Sequence, residues 1–174
     1  MELLDLFYWD SSYNGILLVN LFICIIIIAS VRLIGGFIGN VKNSTEELIK
    51  KDNPAFGISL AGVVFGVTIV LTSVIYNEQP VINAFDSAVA VALYGFIGII
   101  LMYVTRVVFD RVCFPDISIG DEIAKGNIAA GIIDAGNVIA TAIIIRAVMV
   151  WVNAHTIEGL QALVLAYIIS QLLL

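Results

Sequence analysis

Apolar runs of about 20 residues, parted by short polar stretches, recur along this 174-residue chain. Each is long enough to cross a hydrocarbon core of ~30 Å as a helix. The pattern predicts spans over 13–37, 55–76, 84–109 and 128–151. A fifth begins near 156 and is still running at Gln171-Leu172-Leu173-Leu174. Strands of a membrane barrel alternate polar and apolar positions. Ile25-Ile26-Ile27-Ile28 does not, so the expected class is all-α, a polytopic transmembrane helix bundle. Composition agrees. Hydrophobic residues make up 61% and charged residues 13%, where a soluble domain carries about a quarter charged.

The chain also matches itself. At a shift of about 74 residues, Asn53-Pro54-Ala55-Phe56-Gly57-Ile58 falls on Asn127-Ile128-Ala129-Ala130-Gly131-Ile132. Ala61-Gly62 falls on Ala135-Gly136, Ile49 and Lys51 on Ile123 and Lys125, and Arg32 on Arg106. The predicted unit is a helix, a basic loop and a second helix, used twice. Each copy has an even number of spans, so the two run parallel. Residues 1–78 form the first two-helix repeat and 79–153 the second. Residues 154–174 are expected to start a further copy, cut short.

Charge sets the orientation. Seven of the eight Lys and Arg flank two loops: Arg32, Lys42, Lys50 and Lys51, then Arg106, Arg111 and Lys125. Glu2, Asp5, Asp10, Glu78 and Asp86 occupy the other side. Basic loops stay cytoplasmic, which puts the N-terminus outside. That N-terminus is acidic and without a cleavage site, so it is expected to be an uncleaved anchor. The net charge of -6 is spread over both faces and implies no nucleic-acid partner. Cys24 and Cys113 are too far apart in topology for a disulfide. No Cys or His pair implies a metal, and His155 reads as a turn residue.

Ser44-Thr45-Glu46-Glu47 and Ser118-Ile119-Gly120-Asp121 each place an acid three residues after a serine, as in a capping box. Short surface helices are predicted over 45–52 and 119–126. Asn53-Pro54 and Gly126-Asn127 end them. The amides of Asn53 and Asn127 either cap the next helix or form a polar site at the cytoplasmic mouth, since helix starts attract anionic groups. Small residues line the second and fourth spans: Gly57, Gly62 and Gly66, then Gly131 and Gly136. Gly62-x-x-x-Gly66 and Gly136-x-x-x-Ala140 predict close backbone approach, with these two spans central and the first and third outside.

Three polar residues fall inside the fourth span. Asp134 lies two turns beyond Asn127, about 10 Å deep. Asn137 is one turn further, and Arg146 is nearer the outer end. In the other copy Leu60, Val63 and Thr72 stand at these places. A charge inside a span costs ~2.5 kcal/mol or much more, and faces a partner or water. Arg106 and Arg32 are the partners in reach of Asp134, while Arg146 either snorkels outward or meets Asp86. The cluster is either a structural contact between helices or a proton or cation relay.

The run Leu48-Ile49-Lys50-Lys51-Asp52-Asn53-Pro54-Ala55, with Ala61-Gly62 after it, resembles the signature of the YjfL-like bacterial membrane proteins, domain of unknown function 350. So does Glu122-Ile123-Ala124-Lys125-Gly126-Asn127-Ile128-Ala129-Ala130-Gly131, and the likeness covers about 12–152. It implies a bacterial inner-membrane protein with two spans per copy. It brings no reaction, cofactor or catalytic residue, and the fifth span departs from the four of its compact members. No nucleophile elbow, phosphate loop or zinc motif is present, so an enzyme is not expected. Two readings remain. One is a structural or envelope-stress accessory protein that forms homo-oligomers or joins a larger membrane complex. The other is a small channel or transporter with a polar path at Asp134 and Asn137.

Overall fold

The computed structural model describes residues 11–38, 44–75, 84–151 and 157–173. His155, Lys42, Glu78, the N-terminal acids and the side chain of Arg32 lie outside the described residues. The helices are α1 (Ser11–Ile38), α2 (Pro54–Ile75), α3 (Ala84–Cys113), α4 (Ile119–Ala124), α5 (Ile128–Trp151) and α6 (Ile157–Leu173). A five-residue π-helical turn, Glu46–Lys50, precedes α2. Among the described residues, four helices are long and apolar enough to cross a membrane: α1, α2, α3 and α5. The all-α membrane bundle is therefore the observed class. Helix α6 is described over 17 residues and packs on α5.

Helices α2 and α5 form the central pair and run parallel. Ser59 meets Asp134 near one end, and Ser73 meets Met149 near the other. Small residues let them approach. A Cβ added to Gly62 would lie 2.5 Å from the Cβ of Ala135, and one added to Gly131 would lie 2.5 Å from the carbonyl oxygen of Ala55. In lipid, apolar side chains gain little by leaving the acyl chains, so this contact carries much of the association. Gly66 is tight against Met102 of α3 and Val138 of α5, whereas Gly57 meets only the tip of Leu48 at an ordinary 3.5 Å. Gly136 does not join the packing. Among the described residues nothing lies within 4 Å of its open side, and both it and Ala140 are exposed.

Helix α1 lies outside and exposes Phe22, Ile25 and Ile26. Helix α3 does not. It crosses α2 antiparallel, with Gly98 against Val70 and Met102 against Gly66, and buries Tyr94, Leu101, Thr105 and Arg106. The expectation of an outer third span fails because Gly95 and Gly98 admit Leu71 and Val70 as close neighbours. Asn20 of α1 donates to Ser87 of α3 at 2.8 Å, and Ile27 reaches Gly95, so these two helices run parallel.

The two loop turns close one end of the bundle together. Phe56, Ile119, Ile123 and Ala130 form a small apolar cluster there, with Leu48, Phe109 and Phe114 packed around it. Only the second turn is capped as predicted: Ser118 Oγ accepts the N–H of Asp121 at 3.2 Å. The first begins at Thr45, whose side chain caps nothing, and Ser44 Oγ is buried without a partner. The wider π turn is the reason. Its Glu47 instead accepts from Lys51 at 2.6 Å and from Asn53 at 3.1 Å.

Candidate functional site

The two loops build the same device with different spacing. Glu47 binds Lys51 and Asn53; Glu122 binds Lys125 at 2.8 Å and Asn127 at 3.0 Å. The first lysine is four residues from its glutamate and the second three. The π turn absorbs the extra residue. Asp52 (φ 47°) and Gly126 (φ 85°) then take left-handed backbone, which reverses the chain ahead of each asparagine. At the second break the Asn127 N–H reaches Glu122 O and the Gly126 N–H reaches Ile123 O, a Schellman ending. Each asparagine caps the following helix: Asn53 Oδ1 accepts from Phe56 N, and Asn127 Oδ1 from Ala129 N. Asn53 also donates to Ile123 O at 2.8 Å, which ties the first loop to the second. Its amide is buried; that of Asn127 is exposed. The Lys51 hydrogen bond, above all, holds the Glu47 carboxyl below its ordinary range, and Lys125 does the same for Glu122.

Deeper in the bundle, three helices converge on one charge pair. Arg106 Nε of α3 lies 2.6 Å from Asp134 Oδ1 of α5. Ser59 of α2 donates its hydroxyl to Asp134 Oδ2 at 2.5 Å, and Arg106 Nη2 donates to Ser59 Oγ at 3.2 Å. The result is a closed ring of three side chains. Arg106 is 7% exposed and Asp134 2%. Removing water makes each charge dependent on the other. Breaking such a pair on one side costs about 3–5 kcal/mol, although the intact pair adds little over apolar packing. One turn along α3, Asp110 accepts the N–H of Ile119 at 2.6 Å and so holds the start of α4. A second polar contact sits beside the ring. Thr105 pairs with the hydroxyl of Tyr167 at 2.5 Å, and Tyr167 donates to Leu101 O at 3.0 Å, which fastens α6 to α3.

Of the residues singled out in the sequence, Arg106 and Asp134 come together. Asn137 is half-buried beside them, and its Nδ2 has no hydrogen-bond partner. Arg146 stands apart, exposed on α5 three turns nearer the other end. Arg106, at the loop end of the third span and named as a partner in reach of Asp134, is a core residue. Ser59, Asp110, Thr105 and Tyr167 were not anticipated. Asp110 had a signal, the i, i+4 spacing from Arg106 that puts two side chains on one helix face. Ser59 had none at the 74-residue match, where Leu60 stands opposite Asp134. Among the described residues no group of three or more His, Cys, Asp or Glu is arranged to hold a metal ion.

No curated protein and no solved structure matches this chain. A family model described as Domain of Unknown Function (DUF350) matches residues 6–149. That stretch takes in the loop devices, α2, all but the last two residues of α5, and the Arg106–Asp134–Ser59 ring, so the chain belongs to this family.

Proposed function

We propose that this chain is a non-enzymatic subunit of the bacterial inner membrane, structural, accessory or envelope-stress-related, that assembles through helix–helix contacts. One observation carries the reading. Helix α5 has two stripes of small residues, and the bundle uses only one. Gly131 and Ala135 press on α2, while Gly136 and Ala140 face outward with open space beside Gly136. A glycine that no described residue of the chain requires fits a backbone contact with another chain. The occupant we favour is a second copy, seated α5 to α5. The Arg106–Asp134–Ser59 ring supports the same reading, since it joins α2, α3 and α5.

The topology belongs to the proposal. Both basic turns sit at one end, because Asn53 bonds Ile123 across them, and that end is cytoplasmic by the positive-inside rule. The parallel run of α2 and α5 supports a duplicated hairpin. The test is native mass in detergent with disulfide trapping at Gly136→Cys in a chain lacking Cys24 and Cys113. Oligomers trapped at 136, and lost in Gly136→Leu with helicity unchanged, are expected. A monomer at every concentration would refute the proposal. A second reading, a small ion channel or transporter, rests on the unpartnered Nδ2 of Asn137 beside Asp134. It requires ion flux in proteoliposomes that Asp134→Asn abolishes without altering assembly.

A further inference from the structure

Arg106 grips Asp134 and Ser59 with one edge of its guanidinium, through Nε and Nη2. The remaining nitrogen, Nη1, is buried and has no hydrogen-bond partner among the described residues. A buried charged donor left unmade is more costly than a neutral one, so the guanidinium is one acceptor short. The next acceptor along α3 is Asp110, four residues on, and its charge acts on both Arg106 and Asp134. Asp110 is already engaged with Ile119 N. The i, i+4 spacing therefore puts a second carboxylate on the Arg106 face of α3, one turn from the guanidinium that Asp134 now holds. Among the described side chains, the other groups near this layer are Ser59 from α2, Thr105 and Tyr103 from α3, Asn137 from α5 and Tyr167 from α6, and none of these is a second cation; the side chain of Arg32 on α1 lies outside the described residues.

We propose that Asp134 is a proton-binding site, and that the bound proton transfers Arg106 from Asp134 to Asp110. The proton comes from water at the α4 end, forms an O–H bond on the Asp134 carboxylate and breaks no covalent bond. Neutral Asp134 keeps Ser59, now as acceptor. Arg106 remains charged, has lost its counter-ion, and turns to the carboxylate one turn away. Asp110 then releases the Ile119 N–H. A proton bound about 10 Å inside the span is read out where α4 begins. Two discrete partners for one guanidinium make the element bistable, as a switch requires. This rests on neither reading of the protein's role in the membrane.

The test uses the full chain in lipid nanodiscs and two readouts. Infrared difference spectra on acidification report protonated carboxyl groups, and hydrogen exchange reports the protection of the Ile119 amide. The wild type is expected to show a protonated-carboxyl component that Asp134→Asn removes. Its Ile119 protection falls about tenfold on acidification, the loss of the hydrogen bond from the Ile119 N–H to the Asp110 carboxylate. In Asp134→Asn that protection is low at every pH. In Asp110→Asn the carboxyl component persists but Ile119 no longer responds. If Asp134→Asn does not fold, Ser59→Ala retains both charges and must move the pH midpoint of the component. A component that survives Asp134→Asn, a midpoint unmoved by Ser59→Ala, or wild-type Ile119 protection indifferent to pH would overturn the proposal.

Discussion

Replacing Gly131 by alanine adds one methyl group where the structure has no room for it. Its Cβ would stand 2.5 Å from the carbonyl oxygen of Ala55 and 3.0 Å from its carbonyl carbon and Cα. Ordinary contact begins at 3.4 Å, and the obstacle is backbone that no rotamer change can clear. Helices α2 and α5 must therefore part locally by the difference, 3.4 − 2.5 = 0.9 Å. A gap of that size forfeits a quarter to a half of each contact's dispersion energy, and overpacking of this kind costs about 1–3 kcal/mol. Alanine also gains about 1 kcal/mol in helix propensity, which would mask part of the loss. Gly136→Ala is the internal control when the micelles are dilute enough to hold one chain each, so that the proposed α5–α5 contact is absent: same helix, same propensity gain, and no described atom within 4 Å to meet the methyl. The difference between the two variants isolates the packing term. Unfolding in mixed micelles, followed by circular dichroism, should find Gly131→Ala less stable than Gly136→Ala by about 1–3 kcal/mol. Equal stability would refute the inference that the close approach of α2 and α5 holds the bundle.

Asp134→Leu alone takes from buried Arg106 the counter-ion it holds, and should cost about 3–5 kcal/mol, less whatever Arg106 regains at Asp110, by the same unfolding assay; Asp134→Leu with Arg106→Met should recover most of the loss. Glu47 titrates with a depressed value, so its bond to Lys51 stabilises the folded chain above the ordinary glutamate range. That contribution is lost as pH falls through the depressed value, so the stability gap between wild type and Lys51→Met should close on acidification. Tyr167→Phe removes the hydroxyl shared by Thr105 and Leu101, and should loosen α6 by about 1 kcal/mol, seen as faster proteolysis of α6 with α2 and α5 intact. Cys113 is exposed while Cys24 is buried in α1. An impermeant maleimide should label Cys113 in inside-out vesicles and not in intact cells; the reverse would invert the proposed topology.

The spans were legible because lipid allows few structures and long apolar runs are hard to mistake. Three start or end within a residue or two of the pattern's edges. The exception is α3, predicted to stop at 109 and observed to reach Cys113. It continues because Asp110 and Arg111 stand past the apolar stretch, where polar helix is tolerated and Asp110 can hold Ile119. Hydropathy marks where a helix leaves the apolar slab, not where it ends. The small-residue pattern was legible in kind but not in use. Gly62-x-x-x-Gly66 meets α5 and α3, while Gly136-x-x-x-Ala140 points outward, and composition cannot say which face of a helix a neighbour occupies.

The partner of Asp134 was hidden by a single residue. Motifs in the two halves align at about 74, but the buried positions of α2 fall on those of α5 at the 75 that separates Ser59 from Asp134. Ala55 matches Ala130, Val63 matches Val138, Val67 matches Ala142, Val70 matches Ile145 and Val74 matches Met149. One residue turns a helix by about 100°. Asn127 accordingly faces solvent where Asn53 is buried against Ile123 O. Ile49 is 67% exposed where Ile123 is buried, and Leu48 packs in the same cluster as Ile123 instead. The π turn has a clear physical role in this arrangement. It supplies the extra residue between Glu47 and Lys51, so the same ionic pair can form in both loops while the helices that follow present different faces. Deleting Lys50 should convert the π turn to an α turn, keep the Glu47–Asn53 device, and bring the spacing of the first loop to that of the second. The cost should appear at the Asn53–Ile123 bond, which the present register alone allows. If the deletion leaves stability unchanged, the offset between motif and packing registers has no structural role.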